Sequence, residues 1–135
     1  MINDPYTFLN AVLQGESEIT SLLGVYQGTD IPLIKRGILA EVETDLPAIT
    51  ITSPSGDLED GKEDCLMTIN CYAKTEDESY KVARKVLHKT NKHQYTKGQY
   101  SATMTGQIFP SVPDPNANEV NTPLEIRVFK IGGAV

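Results

Sequence analysis

The sequence predicts an α+β fold: a largely antiparallel or mixed sheet of four to five strands, helices packed on one face, and the order α-β-β-β-α-β-β. Three observations predict it. Apolar residues recur at helical spacing in 4–23 and 76–91, and segments of period-two alternation lie between and after these stretches. No βα unit repeats, as a doubly wound parallel sheet would require. Finally, 135 residues with 39% apolar content supply one packed core rather than two, so 1–135 reads as a single domain.

The first helical stretch opens at Asn3 or Asp4, because Pro5 suits a first turn in which its missing N–H has no partner to lose. Phe8, Leu9, Val12 and Leu13 then share a face. Gly15 interrupts and Gly24 suits a C-terminal cap, so 4–23 is two helical segments or one kinked helix. Val25 to Pro32 reads as a loop and Leu33 to Val42 as an irregular strand. Pro47-Ala48-Ile49-Thr50-Ile51-Thr52-Ser53 alternates apolar residues with Thr, the mark of a half-buried strand, and 65–73 is a second one. The short acidic connection between them predicts an antiparallel hairpin.

Thr75-Glu76-Asp77-Glu78 forms a capping box, and three acids in the first turn with Lys85, Lys89 and Lys92 toward the end suit the helix dipole. Tyr80, Ala83, Val86 and Leu87 are expected to form the buried face of helix 76–91. Tyr100 to Phe109 and Leu124 to Ile131 read as the last strands. Between them lies a loop, 110–123, rich in Pro and Asn. It and 54–64 are the two exposed loops long enough to reach beyond the domain. The buried core should include Ile49, Ile51, Ile69, Val86 and Leu87.

Charge is divided along the chain. Residues 1–64 hold 12 acids against 3 bases, net −9, whereas 65–97 hold 3 acids against 7 bases, net +4. The formal total of −6 disfavours non-specific binding to nucleic acid, except through the one basic stretch, 81–97. No window is apolar enough to span a membrane, and the acidic start Met1-Ile2-Asn3-Asp4-Pro5 does not read as a secretory signal.

Catalytic chemistry has little to rest on. Cys65 and Cys71 lie six apart on one strand, about 20 Å, too far for a disulfide, and should be buried. His88 and His93 are spaced by five, where a metal-binding pair would use i, i+4. The acids Asp57, Glu59, Asp60, Glu63 and Asp64 suggest a hard cation, but Gly61 stands one place short of the calcium-loop glycine, leaving a solvated acidic turn. No phosphate loop, nucleophile elbow or C-x-x-C is present. The expectation is a protein that is not an enzyme, with no cofactor and no metal.

The N-terminal helix closing in Ile19-Thr20-Ser21-Leu22-Leu23-Gly24, the strand Leu46-Pro47-Ala48-Ile49-Thr50-Ile51, and Thr68-Ile69-Asn70-Cys71-Tyr72-Ala73-Lys74-Thr75 running into a helix resemble the tail terminator and tail-to-head joining proteins of long-tailed, siphovirus-type bacteriophages. The resemblance implies a virion structural protein of the tail and neck, assembled in the host cytoplasm. It would form a ring, usually a hexamer, that caps the tail tube, ends its polymerisation and makes the tail side of the head–tail joint. Its partners would be the tail tube protein, the head completion protein and its own copies, with DNA passing through without specific binding. A head-completion or connector protein is the alternative, followed by a small nucleic-acid-binding module using 81–97. The family supplies no catalytic residues. From charge, Lys81, Arg84, Lys85 and Lys89 on the helix and Asp57, Glu59 and Asp60 in the acidic loop are the candidate subunit interface, because opposite charges on one chain favour head-to-tail contacts that close into rings.

Overall fold

The computed structural model describes residues 5–26, 28–37, 46–52, 64–98, 100–114 and 119–130. The elements run α1 (Pro5–Gly15), α2 (Ser17–Thr20), β1 (Ile34–Arg36), β2 (Ala48–Thr52), β3 (Asp64–Ala73), α3 (Glu76–Thr90), β4 (His93–Lys97), β5 (Tyr100–Ile108), β6 (Val112–Asp114) and β7 (Glu119–Lys130). The α+β class holds, but the sheet is larger than four to five strands. Among the described residues it has seven, in the order β1-β2-β3-β7-β5-β4, with β6 pairing β7 off that path. Every pairing is antiparallel except β1 with β2.

The two unexpected strands have physical explanations. In β4, His93-Gln94-Tyr95-Thr96-Lys97 lies at the sheet edge with no residue fully buried, so it carries no alternating apolar signal. Lys92, with φ 61°, turns the chain from α3 into it. Residues 110–123, expected as one loop, contain β6 and the start of β7. Ile108 faces Leu124 and Val112 faces Asn121, four steps against three, so β5 and β6 form one strand line broken by a bulge. Pro123 sits opposite that break. Its carbonyl accepts the Phe109 N–H at 2.9 Å, and a residue's N–H and C=O point to the same side of an antiparallel strand. The donor that proline lacks would therefore point at the bulge, where no regular ladder is interrupted.

One face of the sheet carries the core. Met67, Ile69 and Cys71 on β3, Leu124, Ile126 and Val128 on β7, and Met104 on β5 are buried with Phe8, Leu9, Val12 and Leu13 of α1 and Val82, Ala83 and Val86 of α3. Gly106 admits α3 closely: a Cβ there would lie 2.7 Å from Ile126 Cδ1 and 2.9 Å from Leu87 Cδ1. The N-terminal stretch resolves into two helices, and β2 with β3 makes the expected antiparallel pair.

The buried face of α3 is rotated from the expected one. Ser79, Val82, Ala83, Val86 and Thr90 are buried, Leu87 is half-buried, and Tyr80 is 45% exposed. The polar residues mislead because their hydroxyls are satisfied inside. Ser79 Oγ donates to the Cys71 carbonyl at 2.7 Å and lies 2.6 Å from Thr122 Oγ1, which is itself 2.7 Å from Ser111 Oγ. Thr90 Oγ1 donates to the Val86 carbonyl at 2.7 Å.

Urea unfolding of three variants tests this face. Ile69→Ala should cost about 2–5 kcal/mol as a fully buried truncation. Ser79→Ala should cost about 1–3 kcal/mol by stranding buried acceptors. Tyr80→Ala should stay within about 0.5 kcal/mol of wild type.

Candidate subunit interface

The helix that carries the nominated cations is fixed at both ends. Thr75 Oγ1 accepts the Glu78 N–H at 3.2 Å, and Glu76, Asp77 and Glu78 occupy the first turn. At the other end the Asn91 N–H donates to the Leu87 carbonyl at 2.8 Å, and Asn91 Oδ1 accepts the Gly106 N–H at 3.0 Å. With Ser79, Val82, Ala83, Val86 and Thr90 facing the sheet, the outer side presents Asp77, Tyr80, Lys81, Arg84, Lys85 and His88 along a shallow groove. The Arg84 guanidinium lies 5.9 Å from the centre of the Tyr80 ring, within cation–π range.

The nominated residues separate into three groups. Lys85 and Lys89 are engaged by their own chain: Lys85 Nζ lies 3.3 Å from Glu18 Oε1, and Lys89 Nζ contacts Glu18 Oε2 and lies 3.8 Å from Glu16 Oε2. The Tyr95 hydroxyl joins this clasp, 2.7 Å from the Lys89 carbonyl and 3.0 Å from Glu16 Oε1, its single proton shared between two acceptors. Lys81 and Arg84 are exposed and lie outside the clasp. Asp57, Glu59 and Asp60 lie outside the described residues. The split of charge along the chain is thus partly answered within one protomer, α2 against α3. Period and sign locate a basic helix face in the sequence, but they do not say that acids some seventy residues away lie beside it.

Other candidate chemistry is placed plainly. Cys65 and Cys71 are free and buried, and burial pushes the Cys71 thiol up, opposite to what a nucleophile needs. His88 and His93 are both exposed, and His93 Nδ1 lies 2.8 Å from the Asn91 carbonyl. Among the described residues no three His, Cys, Asp or Glu side chains converge as a metal set. Tyr80 and Glu18 are the residues that sequence reasoning did not nominate. Its place in the apolar pattern of helix 76–91 assigns Tyr80 to the buried face, and Glu18 belongs to a four-residue helix too short to carry a pattern of its own.

The clasp titrates at both ends. The hydrogen bond from Lys89, then that from Lys85, holds the Glu18 carboxyl below its ordinary value, so its contribution is complete above the ordinary carboxylate range and is lost as pH falls through the lowered value. Glu18 holds the Lys89 ammonium above its ordinary value, so that share is complete below the ordinary lysine range and is lost at higher pH. Burial, with the hydrogen bond to Glu16, pushes Tyr95 up to about 12, keeping its proton in the clasp until still more alkaline conditions. The difference in urea midpoint between wild type and Glu18→Gln should therefore be flat from about pH 6 to 9 and close toward zero below about pH 4. It should also shrink with added salt.

No protein-family model matches the sequence, and no curated protein matches it. Among solved structures, one chain of the "Virion of native gene transfer agent (GTA) particle" is similar, with a TM-score of 0.61 over 92% of this chain and 92% of that chain at 10% identity. At that identity the likeness is one of fold, and it extends over nearly the whole of both chains.

Proposed function

We propose that this chain is a structural protein of a phage-like virion, and specifically a tail terminator that caps the tail tube, ends its polymerisation and forms the tail side of the head–tail joint. The observation that carries the reading is the fold shared over 92% of each chain with a chain of a gene transfer agent virion. The resemblance in the sequence pointed independently to tailed phage particles. The protein acts by assembly rather than catalysis. Its copies meet through unlike surfaces and close a ring, a hexamer, on the last ring of tube protein, with the head completion protein above. A formal charge of −6 lets DNA pass with little attraction to the wall.

Electron microscopy of the purified protein mixed with tails that lack their upper end tests this reading. The expected result is a single ring at one end of each tube, and tubes of uncontrolled length when the protein is withheld during polymerisation. Binding to filled heads, with tails left bare, would replace the terminator by a head-completion protein. Retention on DNA that weakens steeply with salt, with neither particle bound, would favour the nucleic-acid reading.

A further inference from the structure

Two exposed features outside the clasp complement each other. The first is the loop between α2 and β1, which is tied to itself. Val25 bridges Pro32, the Tyr26 N–H donates to the Ile31 carbonyl at 2.9 Å, and the Leu33 N–H donates to the Gly24 carbonyl at 2.9 Å. Thr29 Oγ1 donates to the Tyr26 carbonyl at 2.8 Å and accepts the Ile31 N–H at 3.1 Å, while Gly28 turns the chain with φ 78°. At the tip, Asp30 is exposed, Ile31 is 53% exposed, and the Asp30 carboxylate has no partner among the described residues. The second feature is the α3 groove, where the exposed Tyr80 lies under Arg84, with Asp77, Lys81 and His88 also along its walls.

We infer that the tip of the 25–32 loop of one protomer docks in the α3 groove of the next, Ile31 against Tyr80 and Asp30 against Lys81 and Arg84. The inference deepens the assembly reading above and rests on it. Ile31 and Tyr80 are two of the four large apolar side chains exposed among the described residues, and each adjoins charge of the sign opposite to the other's. Within one protomer all five contact residues stay exposed, so the two features do not satisfy each other there. Every copy carries both halves of the pair, so a second copy suffices as occupant. The loop's internal bonds hold its tip in one shape, which lowers the entropy cost of docking, and Tyr and Arg are the side chains that anchor interfaces best. The two surfaces differ, so the contact is heterologous and repeats around a ring. Lys85 and Lys89 are engaged by Glu18, which leaves the contact to Lys81 and Arg84.

Sedimentation velocity, alone and on tail tubes, of Asp30→Lys, of Lys81→Asp with Arg84→Asp, and of all three changes together tests the contact. Each half should weaken association about tenfold or more, since like charges then meet, and the combination should recover most of the loss. In parallel, Ile31→Cys with Tyr80→Cys should form disulfide-linked multimers larger than dimers under mild oxidation, the native cysteines being buried. If wild type associates, both reversals leave it unchanged and the cysteine pair gives no ladder, the contact is wrong and the assembly reading stands. Loss in the α3 variant alone, or no recovery in the combination, overturns the contact in favour of another acidic occupant. A wild type that stays monomeric alone and on tubes, with no ladder, overturns both.

Discussion

The pairing of β3 with β7 is the constraint on which the rest of the structure depends. Their register runs without interruption from Asp64 opposite Phe129 to Ala73 opposite Val120, which puts Cys65, Met67, Ile69 and Cys71 on the same face as Thr122, Leu124, Ile126 and Val128. A slip of either strand by one residue would turn its row to solvent while its partner's stayed buried, so burial locks the register. β2 extends the sheet beyond β3, and β5 with β6 extends it beyond β7. The α3 helix is then positioned by contacts that exist only once this pair has formed, because Ser79 reaches the Cys71 carbonyl of β3 and the Thr122 hydroxyl of β7 together.

The two N-terminal helices are attached by a different mix of forces. Phe8, Leu9, Val12 and Leu13 bury completely or nearly so, and at about 25 cal/mol per Å² of apolar surface this burial outweighs any exposed ion pair. The α2 carboxylates at Lys85 and Lys89 therefore contribute orientation more than stability. Their consequence lies in the division of labour along α3. One flank of the helix is spent on its own chain, while the adjacent flank, with Tyr80, Lys81 and Arg84, stays available to a partner.

Much of this was legible in the sequence because it depends on local pattern. The helix cap at Thr75, the strands within 47–53 and 65–73, the helix break after Gly15 and the burial of Ile49, Ile51, Ile69 and Val86 all follow from periodicity and caps, and these fix which segments are helix or strand. Edge and broken strands were not legible in the same way. β4 buries no side chain completely, and Pro123 reads as loop until its strand partner is known to be interrupted opposite it.

The sequence by itself determined the α+β class, the β2–β3 hairpin, the extent of α3 and the presence of one basic helix face. Tertiary structure alone decided the seven-strand sheet, the rotation of α3 that exposes Tyr80 and buries Ser79, and the capture of Lys85 and Lys89 by Glu18. The physical reason is that period and propensity act over a few residues, whereas hydrogen bonds such as Ser79 to Cys71 and ion pairs such as Lys89 to Glu18 join segments far apart in the chain. Whether a polar side chain is buried or a charge is already paired is therefore settled only when those segments meet.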